Sequence, residues 1–200
     1  MKIILLVEGE TERVFMPFLR DFLRERLTEM PKLSCRPYHG RIPKEDKLKR
    51  IVENLLKGKK PANAVIALSD VYTGSDDFID ATDAKNKMRK WVSENPDFYP
   101  CVAQHDFEAW LLIFWPDIQK LAGHNKKAPG KEPEQVNHHK PPAKHIEEIF
   151  RLGKRRSYNK PRDAKSILEG KDLTLSANVC PELKAFLNTL LTLCGGTPLP

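Results

Sequence analysis

The chain has 200 residues, 40% hydrophobic and 30% charged, with a formal net charge of +7, a composition that describes one soluble globular domain or one domain with a small appendage. Its cysteines, Cys35, Cys101, Cys180 and Cys194, are scattered without a Cys-x-x-Cys pair, which argues against a zinc ribbon or a disulfide framework and for reduced thiols. The opening apolar run, Ile3 to Val7, is far too short for a signal peptide or a membrane span, so a cytoplasmic protein with no membrane partner is expected.

In chain order, Lys2–Glu8 is an apolar run that stops at a carboxylate and predicts a buried parallel strand. Gly9 permits a turn, and Val14, Phe15, Phe18, Leu19, Phe22, Leu23 and Leu27 recur at helical spacing, with Pro17 predicting a kink or a late start. Leu33–Tyr38 reads as a second strand, and Leu48, Ile51, Val52, Leu55 and Leu56 mark a helix ending at Gly58. Asn63–Asp70 is the third strand and, like the first, ends in an acid. A turn-forming loop follows, then a helix with Thr82 as its cap, and Phe98–Gln104 is the fourth strand. The segment Phe107–Phe114 predicts a short apolar helix closed by Pro116. Strands alternating with helices indicate right-handed crossovers and a mostly parallel sheet.

From Gly123 to Pro142 periodicity is lost and Lys, Pro, Gly and His abound, predicting a mobile basic loop. His124, His138, His139 and His145 match no zinc spacing and read as loop residues. Three helices follow, around Ile146–Phe150, Ala164–Leu168 and Leu183–Leu191, and the tail from Gly195 is expected to fray. The predicted division is an α/β core over 1–115 and a basic loop with helical extension over 116–200. From Asp117 to Lys171 there are 14 Lys or Arg against 7 Asp or Glu, an excess that equals the net charge of the whole chain. Concentrated basic charge suits a polyanion such as nucleic acid, with a solvated basic surface as the equal alternative from charge alone.

Two strands that each end in an acid aim Glu8 and Asp70 at the carboxyl edge of the sheet, where open α/β sheets bind ligands. Glu12, four residues after Glu8, falls in the first helical turn, where the dipole favours anions. Glu8, Asp70 and a nearby acid make an oxygen-rich site of the kind that holds Mg²⁺ or Mn²⁺.

The stretch Val7-Glu8-Gly9-Glu10-Thr11-Glu12 resembles the opening motif of Toprim domains, found in topoisomerases, bacterial primases and overcoming-lysogenization-defect nucleases. With the Asp70 strand and Phe107-Glu108-Ala109-Trp110-Leu111, the chain is more closely similar to a Toprim-like prokaryotic family, domain of unknown function 4276. The resemblance implies a Toprim-like three-layer fold with a four-stranded sheet and a helical C-terminal extension. It also implies a general acid/base or metal-ligand role for Glu8 and a metal-ligand role for Asp70. The family's second acid does not carry over, because Tyr72 stands there. Asp76 and Asp77 are candidates to replace it, and Glu108 is a further acid. Lys154, Arg155, Arg156 and Lys160 are candidate nucleic-acid contacts.

The expected function is Mg²⁺- or Mn²⁺-dependent hydrolysis of nucleic-acid phosphodiesters. The catalytic candidates are Glu8, Asp70 and Glu108, and the metal candidates are these with Glu12, Asp76 and Asp77. The resemblance also implies an ATPase partner and a role in phage defence. The principal rival is a non-catalytic binding or adaptor subunit, favoured by Tyr72. A phosphatase using Asp70 as nucleophile is weaker, because the residues after Asp70 do not fit that pattern.

Overall fold

The computed structural model describes residues 1–71, 77–136, 140–154 and 156–200. Four strands, β1 (Lys2–Val7), β2 (Lys32–Pro37), β3 (Ala64–Val71) and β4 (Phe98–Gln104), form one sheet in the order β2-β1-β3-β4, and every pairing is parallel. The boundaries differ from those predicted by at most one residue at each end. Asp70 is the penultimate residue of β3, and Glu8 directly follows β1.

The strand order has a mechanical consequence. From β1 the chain first crosses to β2 on one side and then returns past β1 to β3 on the other. Right-handed crossovers in opposite directions put their helices on opposite faces. Accordingly α1 (Glu10–Arg24) packs with Ile3, Leu5, Ile66 and Leu68, whereas α2 (Glu45–Lys57) and α3 (Ala81–Trp91) pack with Ile4, Leu6, Val65 and Ala67. The reversal lies between β1 and β3, and its crevice opens where Glu8 and Asp70 stand.

Several local expectations are corrected. α1 runs unbroken through Pro17, whose ring is exposed, so the carbonyl one turn back that loses its amide partner is on the solvent side. Gly9 is extended, at φ −147°, a conformation open to any residue. Asp80, not Thr82, caps α3 by accepting from the Asp83 amide at 2.8 Å. Residues Phe107–Phe114 form a 3-10 helix that continues straight into α4 (Trp115–Ala122). Pro116 therefore begins a helix rather than ending one, because the first-turn N–H that it lacks has no partner in any helix.

The C-terminal part comprises α5 (Pro142–Gly153), α6 (Lys160–Leu168), the short α7 (Leu173–Ala177), which periodicity missed, and α8 (Pro181–Leu193). All four join α1 in one hydrophobic core, with α6 against α1 and α8 against β4. At its centre Trp110 lies between Phe15, Phe107 and Phe186, with ring centroids 6.1, 5.2 and 6.0 Å away. No helix among the described residues is long and apolar enough to cross a membrane.

The described part of the basic loop is fastened rather than mobile. Glu134, on a 3-10 turn over Pro133–Gln135, is buried and accepts from Trp110 Nε1 at 3.1 Å. It also accepts from the Glu182 amide in the first turn of α8, at 3.0 Å. Lys126 offers its carbonyl to Trp115 Nε1 at 2.7 Å, and His124 spends Nδ1 on the Lys126 amide. His138 and His139 lie outside the described residues. The tail is held too, because Asn188 exchanges two hydrogen bonds with the backbone of Leu199.

Glu134 thus caps α8 from a distant part of the chain, where the residue at the cap position, Cys180, makes no side-chain cap bond. Glu134→Ala should strand the Trp110 and Glu182 donors and cost about 1–3 kcal/mol. At roughly 2–4 °C per kcal/mol for a domain of this size, thermal melting should show a clear fall, and Glu134→Gln should recover part of it.

Candidate functional site

Each arm of the site comes from the end of a different element. Glu8 leaves β1, Glu12 lies in the first turn of α1, Asp70 ends β3, and Glu108 begins the 3-10 helix after β4. Alternation along β3 sends Asp70 to the α1 face with Ile66 and Leu68, and Ser69 to the other face. These four carboxylates line one crevice of about 420 Å³ together with Thr11, Arg41 and Lys160. All four are buried, Glu108 at 1% exposure and Asp70 at 7%.

The acids are tied to protein partners. Glu8 Oε1 accepts from the Ser69 hydroxyl and, at 3.3 Å, from the Asp70 amide. Glu108 accepts from Lys160 Nζ at 3.1 Å and from the Tyr158 hydroxyl at 3.3 Å. Lys160 opens α6, whose Asn159 cap accepts from the Arg162 amide. Burial lowers the Lys160 pKa, but the carboxylates of Glu108 and Asp106 more than offset it, so the net shift is upward and the ammonium stays charged. Tyr158 is pushed upward by burial and by Glu108, and stays a neutral donor.

Crowding of carboxylates shows in their protonation. Burial lifts Glu12 to about 7, with the charges of Glu8 and Glu108 adding to it. Asp70 is raised well above the usual carboxylate range by burial first, then by Glu12, Glu8, Asp106 and Glu108. Asp106 is likewise pushed to about 7 by burial and Glu108, against the opposing pull of Lys160 and of the Ala143 amide.

Asp106 is the site residue that sequence reasoning passed over. It follows β4 by way of His105, a buried residue held at a left-handed φ of 71°, and one oxygen accepts from the Ala143 amide in the first turn of α5 at 3.1 Å. The other, Oδ1, is buried and has no hydrogen-bond partner among the described residues. A looser form of the rule that picked out Glu8 and Asp70, an acid within two residues of the end of an apolar strand, would have found Asp106 as well.

The remaining candidates divide. Asp77 does not line the crevice and pairs instead with Arg41 and Lys44. Asp76, Tyr72 and Arg155 lie outside the described residues. Arg156 is committed elsewhere: its guanidinium reaches both oxygens of the fully buried Asp163, at 2.7 and 2.8 Å. Lys154 is exposed beside a surface pocket that also includes Arg151 and Ser157. Of the described basic candidates, Lys160 alone lines the crevice.

Among the described residues, no group of three or more His, Cys, Asp or Glu side chains stands arranged to hold a metal ion. The donor chemistry nevertheless fits one. The acids of the crevice offer hard carboxylate oxygens, the preference of Mg²⁺ and Mn²⁺, and burial first, then their mutual repulsion, raises Glu12 and Asp70. The orphaned oxygen of Asp106 is a further unspent acceptor. The fit therefore lies in the donor set, while the side chains themselves are held by Ser69, Lys160 and Tyr158.

Comparison with known proteins gives one family and two solved structures. The family described as Domain of unknown function (DUF4276) matches residues 7–191. The C-terminal region of the Burkholderia pseudomallei OLD protein is 13% identical, with 92% of this chain and 98% of that one covered and a TM-score of 0.46. The C-terminal region of the Xanthomonas campestris pv. campestris OLD protein is also 13% identical, with 95% and 97% covered and a TM-score of 0.43. No curated protein sequence matches significantly.

The raised acids predict a pH dependence. Folded Glu12 and Asp106, near 7, and Asp70, also raised, hold protons that the unfolded chain gives up near its ordinary carboxylate values. Their contribution is fully present below about pH 4 and is lost as pH rises through 7. Metal-free protein should accordingly melt at a lower temperature at pH 8 than at pH 5. Asp106→Asn should flatten that slope, as read by thermal melts in chelator across the range.

Proposed function

The chain belongs to the DUF4276 family, and from its buried acids we propose a Toprim-like, Mg²⁺- or Mn²⁺-dependent nuclease that hydrolyses nucleic-acid phosphodiesters. The observation that carries this reading is the convergence of Glu8, Glu12, Asp70 and Glu108 on one crevice, with Asp106 close by and a charged lysine at the rim. Burying several like charges is costly unless a cation or a proton compensates them. A purely structural cluster would be cheaper to build from apolar residues.

In this reading Glu8, Asp70 and Glu108 are the principal metal and acid/base residues, and Glu12 is auxiliary. Asp106 supplies from the end of β4 an acid that Tyr72 does not provide in the loop after β3. Glu8, Asp70 and Glu108 would hold the divalent cation, which would supply charge neutralisation for the phosphodiester and a nucleophile at neutral pH. Glu12, near 7, can take up or release a proton under working conditions. Lys160 is placed to leave Glu108 for a phosphate oxygen. Tyr158 keeps its hydrogen and steadies Glu108. A cytoplasmic setting, an ATPase partner and a part in phage defence belong to the same proposal.

The adaptor reading keeps one specific observation in its favour: Glu8 stands bonded to Ser69 and Glu108 to Lys160 and Tyr158, and among the described residues no three acids are gathered around a single point. Two measurements separate it from the nuclease. Cleavage of a labelled oligonucleotide in Mn²⁺ should fall by about 10²-fold or more, a contribution typical of a lost acid/base group, in both Glu8→Gln and Asp70→Asn. The far-UV circular dichroism should be retained and the metal-free melting temperature should stay at or above wild type, because repulsion between acids is relieved.

The second measurement is metal linkage. A cation that binds only the folded state stabilises it by about 2.7 kcal/mol at a hundred times Kd, or on the order of 5–10 °C here. Millimolar Mn²⁺ should raise the melting temperature clearly and Mg²⁺ less, and Asp70→Asn should abolish both shifts. The absence of any shift in wild type with either ion would leave the adaptor reading standing.

A further inference from the structure

Cations reach the acid crevice from both layers of the sandwich. Lys160 enters from the α1 and α6 side, whereas Arg41, in the connection from β2 to α2, comes from the side of α2 and α3. Arg41 lines the crevice beside Glu8 and Asp70 and also a smaller adjoining cleft with Ile42, Phe78 and Trp91.

Its position is built into the fold. The Tyr38 amide donates to the carbonyl of Val7 at 3.0 Å and the Gly40 amide to that of Glu8 at 2.9 Å, so the connection is tied to the strand end that carries the site. The bend between them takes His39 to φ 53° and Gly40 to φ 152°, the latter accessible in practice to glycine alone. On the other side of Arg41, Ile42 is buried in the α2–α3 core.

Asp77 pairs with Arg41 and with Lys44, one carboxylate facing two cations. The two cationic side chains remain 40% and 41% exposed. Ion pairs so open to water hold weakly and exchange readily for another anion.

We propose that Arg41, backed by Lys44, is the second phosphate contact of the site. A nucleic-acid strand crosses the acid floor between Lys160 and Arg41, and Asp77 competes with it for the guanidinium. Cations that enter from opposite layers suit successive phosphates of one strand better than the single phosphate of a mononucleotide, so the proposed ligand class is a strand. This inference rests on the nuclease reading and adds to it the residues that position the polyanion.

The test is fluorescence anisotropy with a labelled single-stranded DNA oligonucleotide and the full chain, in chelator so that nothing is cleaved, across a salt series. Arg41→Gln should weaken binding several-fold and flatten the log–log salt slope by about 0.7, one phosphate contact on a single strand. Asp77→Asn should tighten binding at low salt, and the gain should be clearly smaller in the Arg41→Gln/Asp77→Asn double variant, where only Lys44 is released. Adenosine monophosphate should displace the strand poorly. The inference is overturned if Asp77→Asn weakens binding or leaves it unchanged, if folded Arg41→Gln keeps the wild-type slope, or if the mononucleotide competes as well as the strand. In those cases wild type still binds DNA, so the nuclease reading survives and rests on the separate metal-linkage measurement. Failure of wild type to bind any strand removes both.

Discussion

The burial of several carboxylates in one crevice, with the repulsion that adds to it, is the constraint around which the site is arranged. Glu8, Glu12, Asp70 and Glu108 share one crevice, and Asp106 lies near enough to raise Asp70. Such a group stays folded only if each charge is met by a donor, a proton or a cation. The protein supplies donors in part, through Ser69 and the Asp70 amide for Glu8, and Lys160 and Tyr158 for Glu108. The rest of the demand falls on protonation, which is why Glu12 and Asp106 sit near neutrality.

That arrangement gives the C-terminal helices a part in the site. α6 brings Lys160 to the crevice and α5 satisfies one oxygen of Asp106. Both helices are also integral to the core that contains α1 and the rings around Trp110. Two helix starts use acids from elsewhere in the chain, Asp106 for α5 and Glu134 for α8, in place of a local cap. Capping in trans couples the burial of an acid to the docking of a helix, so packing and electrostatics are settled together.

Basic charge is less available than its count implies. Arg156 is held by Asp163, and both Lys126 and Lys140 by Glu148, whose carboxyl they draw down to about 2. What reaches the crevice is one cation from each layer, Lys160 and Arg41. The field at the site is therefore set by which cations the fold brings to the crevice, Lys160 paired with Glu108 and Arg41 with Asp77, not by the net charge of a segment.

The sequence by itself determined the strands, their parallel pairing and the edge at which Glu8 and Asp70 stand, because apolar runs ending in an acid and separated by amphipathic helices have few ways to bury themselves. Only a looser rule, an acid within two residues of a strand end, reaches Asp106 beyond Phe98–Gln104. Tertiary structure alone decided the rest. Whether Pro116 stops a helix or starts one, whether Glu134 is solvated or a remote cap, and whether Arg156 is free or bound to Asp163 all depend on residues far away in the chain. Local propensity records the preferences of a few neighbouring residues, whereas these outcomes are fixed by hydrogen-bond partners that become neighbours only when the helices dock.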